Sequence, residues 1–282
     1  MPHQAIAPGK VAVITGAASG IGHAAAERYA ALGMKVMMAD LPGAALDAAC
    51  EAVRSKAADK GSVIAGSIDV SRADDLLRLK NITYDAFGHV DVLMNNAAVG
   101  LNPGSAFKAH DQWRQLLDIN LGGVINGVQA FLPAMVAQKS PGLVINTGSK
   151  QGITTPPGNL AYNVSKAAVK AFTEGLAHEL RNIPGCAITA HLLIPGFTFT
   201  GMSGRAEKPA AAWTADQVID FMLTSIAHGD FYILCPDNDV TRATDERRMA
   251  WAAGDVIENR PALSRWHPDF APAFEAFMKS QP

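Results

Sequence analysis

A glycine-rich segment follows the first apolar run of the chain, and it limits the possible folds more than any other feature. Residues 10–14, KVAVI, are mostly apolar and rich in β-branched side chains, which predicts a buried strand. Residues 15–22, TGAASGIG, then lack side chains at the three positions where backbone would approach a ligand or a packed helix. Apolar residues at helical spacing begin at Ile21. We therefore predict a strand, a tight turn and a helix, although glycines after a strand can also form a turn alone.

The amino end of that helix would direct its free N–H groups at the turn. Such N–H groups and the positive end of the helix dipole bind phosphate. The residues predicted to hold a pyrophosphate are Gly16, Ser19, Gly20, Ile21 and Gly22.

Strands and helices alternate along the rest of the chain. Further strands are predicted at residues 36–39, 63–68, 90–94, 143–147, 188–194 and 231–235. Helices are predicted at residues 21–32, 44–58, 71–87, 111–138, 159–183, 214–229 and 239–259, and Ser71 with Asp74 and Thr214 with Gln217 have the spacing of capping boxes. This order predicts an α/β fold, a doubly wound parallel sheet (Rossmann-type) of about seven strands with helices on both faces. No linker interrupts it, so residues 1–282 are expected to form a single domain.

Composition limits the partners of such a domain. With 282 residues, 49% hydrophobic and 18% charged, the chain can bury a large core. The net charge of −2 does not suggest a nucleic acid or an anionic membrane as a partner. Three widely spaced cysteines suggest neither disulfides nor a metal site. The first residues lack a secretion signal and no run reaches 18 apolar residues, so we expect a cytoplasmic protein without a membrane span.

An acidic residue stands at the end of the second predicted strand. Asp40 lies about twenty residues beyond the glycines, where it can accept hydrogen bonds from the hydroxyls of an adenosine ribose. It would repel a 2′-phosphate, and Ala17 and Ala18 supply no positive charge to offset that. The predicted cofactor is therefore NAD rather than NADP. A solvated Asp at a strand end is the alternative interpretation.

Polar residues also follow the other strands. Parallel sheets bind ligands at the carboxyl ends of their strands. Gly16, Asp40, Asp69, Asn96, Ser149 and Thr198 all lie at such ends. We expect one rim of the sheet to collect them.

Tyr162 and Lys166 are four residues apart on one predicted helix. At that spacing their side chains share a face, so the ammonium can lie beside the phenol. A free phenol has a pKa of about 10, and a positive neighbour favours the phenolate. The pair is therefore a candidate general acid and base, and Ser149 a candidate donor to a substrate oxygen. Packing of Tyr162 as an ordinary aromatic residue is the alternative interpretation.

These motifs together resemble the short-chain dehydrogenase/reductase family over residues 10–202. The resemblance rests on the glycine turn, Asp40, Asp69, the run Asn95-Asn96-Ala97, and the pair Pro195-Gly196 before Thr198 and Thr200. It implies four catalytic residues, Asn120, Ser149, Tyr162 and Lys166. In family terms Asn120 holds a water that extends a proton path from Lys166. Ala98 and Gly148 depart from the family pattern without replacing a proton-transfer group.

The resemblance further implies the nucleotide site and the assembly. Cofactor contacts are expected at the glycine turn and at Asp40, Asp69, Val70, Asn96, Tyr162, Lys166, Pro195, Thr198 and Thr200. By analogy with the family we expect a homo-oligomer, a dimer or a tetramer, formed through the helices that carry Asn120 and Tyr162. No metal site is predicted.

Two segments bear on the substrate. Residues 197–213 carry two glycines and a proline and are predicted to form a lid, with Phe197, Phe199, Met202 and Trp213 as its apolar lining. The lid side chains could instead simply pack on the core. The predicted substrate contacts are Ser149, Gln151, Tyr162, Phe197 and Met202. Lys150 and Gln151 could both reach the substrate, but a solvated loop face is the preferred interpretation for them, and His191 is expected in the core. Residues 239–282 form a C-terminal extension that could cover a neighbouring subunit, enclose the pocket or pack on its own domain.

The sequence thus predicts an oxidoreductase that transfers hydride between NAD(H) and a hydrophobic secondary alcohol or ketone. An NADPH-dependent carbonyl reductase is the nearer alternative. A non-catalytic NAD-binding regulatory protein is the alternative from another class.

Overall fold

Seven parallel strands form one sheet in the computed structural model, which describes residues 3–204 and 206–280. The strands are β1 Val11–Thr15, β2 Lys35–Asp40, β3 Val63–Ser67, β4 Val92–Asn95, β5 Gly142–Thr147, β6 Ile188–Ile194 and β7 Tyr232–Leu234. Their order is β3-β2-β1-β4-β5-β6-β7, and every neighbouring pair is parallel. The chain reverses direction across the sheet between β1 and β4, so the predicted doubly wound sheet is confirmed.

Helices cover both faces of this sheet. They are α1 Gly20–Ala31, α2 Ala44–Lys56, α3 Ala73–Phe87, α4 His110–Leu117, α5 Gly123–Ala137, α6 Gln151–Thr154, α7 Leu160–Asn182, α8 Ala215–His228, α9 Arg242–Ile257 and α10 Ala271–Lys279. One buried cluster joins the sheet to α1, α2 and α8, with Leu46 and Met222 among its members. A second lies on the opposite face beneath α3, α5 and α7, with Phe131 and Leu176 among its members. Burial of both faces explains why the strands are almost continuously apolar.

The helix predicted at residues 111–138 is interrupted. A π-turn, Asp118–Gly122, separates α4 from α5. The prediction of one regular helix was therefore wrong, because Gly122 and Gly123 weaken the regular hydrogen-bond ladder at this point. By length and composition alone, residues 110–137 could cross a membrane, with a mean hydropathy of 1.3. Core helices pass the same test, and Phe131 and Met135 of this run are buried against the sheet.

One of the two predicted capping boxes forms. At α8 the Thr214 side chain accepts from the Gln217 backbone N–H, and the Gln217 side chain accepts from the Thr214 N–H. At α3 the cap position is Arg72, so the predicted Ser71 box was wrong. The Ser71 hydroxyl instead donates to the Asp69 carboxylate at 2.7 Å, an interaction that competes with capping.

The C-terminal extension packs on its own chain. Trp251 of α9 is buried, its Nε1 donates to Ser264 at 2.8 Å, and the rings of Phe274 and Phe277 lie 5.3 Å from its ring. Met249 of the same helix contacts the buried cluster beneath β6 and β7. The described part of the extension, residues 239–280, thus packs on its own domain, whereas its contact with a neighbouring subunit stays a prediction.

Candidate active site

Three glycines shape the turn between β1 and α1. Gly16 has a φ of +69°, and a Cβ atom there would lie 2.8 Å from the Cα atom of Ala97. A Cβ atom on Gly22 would lie 2.2 Å from the carbonyl oxygen of Gly16. Any side chain at these positions would overlap backbone, so the turn depends on glycine. The amino end of α1 is left open toward the cavity above the sheet.

The turn is fixed to the neighbouring strand by hydrogen bonds. The Thr15 hydroxyl accepts from the backbone N–H groups of Asn96 at 2.9 Å and Ala97 at 3.1 Å. The Asn96 side chain donates to the Thr15 carbonyl at 3.1 Å and accepts from the Thr147 hydroxyl at 3.2 Å. Asn96 therefore joins the ends of β1, β4 and β5 at the edge of the cavity.

Asp40, the last residue of β2, contacts the glycine turn from the side of that strand. Its carboxylate accepts from the backbone N–H groups of Ala18 at 2.9 Å and Leu41 at 2.8 Å. An ionised carboxylate has about four acceptor positions, so these two bonds leave room for hydroxyl donors. Asp69 also lines the cavity, and its Oδ1 accepts from the N–H and hydroxyl of Ser71.

A cavity of about 930 Å³ runs along the carboxyl ends of the strands. The predicted residues that line it are Gly16, Ser19, Gly20, Ile21, Asp40, Asp69, Val70, Asn96, Ser149, Gln151, Tyr162, Lys166, Pro195, Phe197, Thr198, Thr200 and Met202. Gly22 and Asn120 lie behind its wall rather than in it. The rim predicted from strand ends is thus one continuous cavity, with Asp40 toward one end and Tyr162 toward the other.

Tyr162, Ser149 and Lys166 meet at the second end of the cavity. The Lys166 Nζ atom lies 5.7 Å from the centre of the Tyr162 ring and donates to the Thr147 carbonyl at 2.8 Å. The Ser149 hydroxyl acts on the pKa of the Tyr162 phenol as a hydrogen-bond donor. Ser149 comes from the segment that follows β5, and Lys166 lies one turn beyond Tyr162 on α7. The four-residue spacing predicted the proximity of Tyr162 and Lys166.

The ionisation of this group differs from the expectation. Burial raises the pKa of Tyr162, and the hydrogen bond from Ser149 opposes that change. Burial also lowers the pKa of Lys166 to about 8. The expected lowering of the phenol pKa is therefore not observed, because desolvation of the phenolate is the largest influence on it and raises that pKa.

Asn120 is completely buried at the π-turn. Its carboxamide oxygen accepts from the Val99 N–H at 2.8 Å, and its nitrogen donates to the Val99 carbonyl at 3.1 Å and to Ser165 at 3.2 Å. The side chain thus fixes the segment after β4 to α7, three residues beyond the Tyr162 position. That Asn120 holds a water of the proton path, as the family resemblance implies, stays a prediction.

The lid is lined by fewer residues than predicted. Phe197 and Met202 face the cavity, but Phe199 and Trp213 do not line it. The Trp213 ring packs edge-on against Phe221 of α8, with 5.9 Å between ring centres, and the Trp213 backbone N–H donates to the Phe197 carbonyl at 2.9 Å. The lining prediction was therefore wrong for Phe199 and Trp213, and Trp213 instead fixes the lid segment to the core.

Lys150 is not on a solvated loop. Its Nζ atom lies 2.6 Å from Asp245 and 3.3 Å from Asp237, and the side chain is only 14% exposed. The prediction was wrong because the partners come from the far end of the sequence. Its neighbour Gln151 is exposed at the cavity wall, and its role as a substrate contact stays a prediction.

His191 is confirmed as a core histidine. It is 4% exposed, and its ring nitrogens pair with the Asp230 carbonyl and the Thr189 hydroxyl, each at 2.8 Å. Among residues 3–204 and 206–280, no group of three His, Cys, Asp or Glu side chains is placed to hold a metal ion.

The cavity fits the phosphate and ribose parts of a dinucleotide. Its turn has no room for side chains, an open helix end can meet phosphate, and the Asp40 carboxylate can accept from ribose hydroxyls. The remaining end holds Tyr162, Ser149 and Lys166, where chemistry on a second molecule can take place.

Comparison with known proteins agrees with this geometry. The family model for short chain dehydrogenases matches residues 10–211. An uncharacterized oxidoreductase of Staphylococcus saprophyticus is 38% identical over 196 residues, covering 69% of this chain and 76% of the relative. A short-chain dehydrogenase/reductase from Burkholderia phymatum, solved with NAD, is 31% identical with a TM-score of 0.82 and covers 91% of this chain and 97% of its own.

A metagenomic short-chain oxidoreductase solved with NADP is also similar. It is 26% identical with a TM-score of 0.68, and the match covers 82% of this chain and 98% of that one. Similar structures thus contain either nicotinamide cofactor. The matched family model and the relatives lead to one conclusion: the chain belongs to the short-chain dehydrogenase/reductase family of oxidoreductases.

Proposed function

We propose that this oxidoreductase transfers hydride between NAD(H) and a hydrophobic secondary alcohol or its ketone. The observation that carries the proposal is the joint placement of Tyr162, Ser149 and Lys166 at one end of a cavity whose other end holds Asp40. The nicotinamide ring supplies hydride acceptance or donation when it is bound. Side chains of the protein transfer the proton and make the contacts that orient the substrate.

Tyr162 moves the proton of the reacting oxygen. In the oxidative direction its phenolate oxygen accepts the proton of the alcohol, and in the reductive direction its hydroxyl returns a proton to the carbonyl oxygen. Ser149 hydrogen-bonds the same substrate oxygen and stabilises the charge that develops there. Lys166 holds a positive charge beneath this end of the cavity, fixed in place by the Thr147 carbonyl.

Phe197 and Met202 support a hydrophobic substrate. Both line the cavity beside Tyr162, with 38% and 52% of their surfaces exposed in the chain alone. The Met202 side chain also lies over Gly100, where a Cβ atom would be 3.1 Å from it. An apolar substituent would cover these surfaces and remove them from water. We infer that residues 197–204 and 206–213 act as a lid over it, Arg205 lying outside the described residues.

The choice of NAD follows from Asp40. A 2′-phosphate placed near its carboxylate would meet like charge, and the nearest turn residues, Ala17 and Ala18, offer no cation. An NADPH-dependent carbonyl reductase is the second candidate, because a similar structure contains NADP. A non-catalytic NAD-binding protein is the third. The Tyr162, Ser149 and Lys166 side chains at the cavity end argue against it.

We also infer a cytoplasmic homo-oligomer, a dimer or a tetramer. Cys50, Cys186 and Cys235 are free thiols, as expected in a reducing compartment. Leu160 and Val164 on the outer side of α7 are 46% and 41% exposed, which suits a contact between subunits. Light scattering after size-exclusion chromatography distinguishes the two assemblies.

Replacing Asp40 with Ala is expected to lower the preference for NAD over NADP by tenfold or more. The change removes the acceptor for ribose hydroxyls and the charge that opposes a 2′-phosphate. The measurement is kcat/KM with each cofactor on one alcohol. Asp47→Ala on the adjacent α2 is the control for loss of a nearby negative charge. An unchanged ratio in Asp40→Ala would remove the basis for choosing NAD.

Replacing Ser149 with Ala is expected to shift the pH profile toward alkaline pH. The Ser149 hydrogen bond lowers the pKa of Tyr162, so its loss raises that pKa further. Oxidation needs the phenolate and therefore rises only at higher pH, whereas reduction keeps its protonated acid over a wider range. The kcat/KM values for both directions, measured between pH 6 and pH 10, test this, and a shift toward acidic pH would contradict it.

A further inference from the structure

Lys150 forms a buried ion-pair cluster directly behind Ser149. Its ammonium lies between the carboxylates of Asp237 and Asp245, which are 6% and 4% exposed. Asp237 follows β7, and Asp245 belongs to α9 of the C-terminal extension. One cation from the wall of the cavity is therefore paired with two anions that are 87 and 95 residues away in sequence.

Asp237 connects this cluster to the start of the lid. Its Oδ2 atom also accepts from the Phe197 N–H at 3.2 Å, and its Oδ1 atom accepts from the Val240 N–H at 2.8 Å. At Gly196 a Cβ atom would lie 2.7 Å from the Asp237 carboxylate and 2.8 Å from the Lys150 ammonium. The lid therefore begins in direct contact with the ion pairs, with no space for a side chain between them.

The short helix α6 starts directly after Lys150 and packs against the Tyr162 helix. The Lys150 carbonyl accepts from the Ile153 N–H at 3.0 Å, and the Ser149 carbonyl accepts from the Gly152 N–H at 2.9 Å. A Cβ atom on Gly152 would lie 2.5 Å from the backbone of Lys166. The α6 backbone is thus packed between α7 on one side and, through Lys150, α9 on the other.

The charges of the cluster favour a geometric role. A buried ion pair is weak evidence for stability, because desolvation of the charges offsets their attraction. Burial raises the pKa of Asp245, and the positive charges of Lys150 and Arg248 oppose that change. The cluster instead fixes the distances between the start of α6, the segment that follows β7, and α9.

We propose that Lys150, Asp237 and Asp245 are positioning residues, through which the C-terminal extension fixes Ser149 and the first residues of the lid relative to Tyr162. The proposal rests on the proposed dehydrogenase function for its kinetic consequence. The cluster acts through Ser149 and Phe197, and none of its members transfers a proton or hydride. A displacement of Ser149 by a fraction of an ångström would weaken its contact with the substrate oxygen without disturbing the Asp40 end of the cavity.

Asp245→Asn is the variant that tests this role. It leaves Lys150 paired with Asp237, one cation with one anion, so the fold is expected to remain. We expect kcat to fall about tenfold while the Kd for NAD, measured by calorimetry, stays within about twofold. The matched control is Glu246→Gln, which removes the adjacent carboxylate of α9, 56% exposed and paired with Arg242. The control is expected to keep kcat.

A second measurement does not need turnover. Hydrogen exchange is expected to accelerate in residues 149–154 and 197–200 of Asp245→Asn, but not in Glu246→Gln. Unchanged exchange in these two segments would overturn the proposal, as would a kcat equal to that of the control or a parallel loss of NAD affinity. If the wild-type protein oxidises no alcohol and reduces no ketone, the proposed function fails, and exchange still decides whether the cluster positions the segments.

Discussion

Tyr162→Phe is expected to lower kcat about a thousandfold, within the range that a positioned acid or base contributes. The substitution removes the phenolic oxygen that carries the proton and leaves the ring, whose centre lies 5.7 Å from the Lys166 Nζ atom at the cavity wall. Cofactor binding is expected to change by less than about threefold, because the turn and Asp40 hold the other end of the nucleotide. Absorbance of reduced nicotinamide gives kcat, and calorimetry gives the Kd for NAD.

Tyr84→Phe is the matched control for this experiment. It removes the same oxygen from a tyrosine of α3, whose hydroxyl donates to Gln138 at 2.6 Å away from the cavity. We expect this variant to keep wild-type kcat. If Tyr162→Phe retained more than a tenth of the wild-type rate, another group would have to move the proton and the assigned role would be wrong. Loss of activity together with loss of NAD binding would indicate a damaged cavity instead.

The parallel sheet and its rim were predictable because they depend on local sequence. Each β-branched run predicts a buried strand, and the residue after it necessarily lies at the carboxyl end of that strand. Gly16, Asp40 and Asn96 could therefore be assigned to one edge without knowing the order of the strands. The spacing of Tyr162 and Lys166 is likewise local, since one turn of helix fixes it.

Features that depend on distant contacts were not predictable in the same way. Lys150 follows a strand like many solvated residues do, and only the three-dimensional structure brings Asp237 and Asp245 to it. A tryptophan in this segment is typical of an apolar lid lining, but the Trp213 ring packs on Phe221, a contact set by the docking of α8. In both cases the burial of the side chain depends on residues that are far away in the sequence. The pattern of apolar residues within the segment does not indicate those partners.

The π-turn at Asn120 is an intermediate case. Its sequence lies in a long apolar run that fits a regular helix, which is why one helix was predicted. The pair Gly122-Gly123 is a signal that could have indicated the interruption, because two adjacent glycines weaken a helix. The sequence does not indicate that Asn120 lies at this interruption with its side chain buried. Only the structure shows that its carboxamide joins Val99 to Ser165.

The buried ammonium of Lys166 is expected to lower the free energy of unfolding, although turnover depends on it. Burial lowers the pKa of its ammonium from the ordinary 10.5 to about 8, so the unfolded chain binds more protons between these two pH values. Stability attributable to this group therefore rises as the pH goes from about 8 to 10.5. Below pH 8 the buried charge costs roughly 3 kcal/mol relative to alkaline pH, the free energy that corresponds to this pKa difference.

Lys166→Met separates the two effects. The variant keeps an unbranched side chain of similar length, loses the charge, and leaves the Thr147 carbonyl without its 2.8 Å donor, which costs about 1–3 kcal/mol at every pH. We expect kcat to fall roughly a hundredfold or more, and the stability of the variant relative to the wild type to be about 3 kcal/mol more favourable at pH 7 than at pH 10.5. Urea unfolding at both pH values measures that difference directly.

Lys170→Met, one turn further along α7 and paired with Glu174 at 2.7 Å, is the control that should retain turnover. A relative stability that is the same at both pH values would mean that Lys166 is not held as a buried cation, and the electrostatic support that it gives to Tyr162 would have to come from elsewhere.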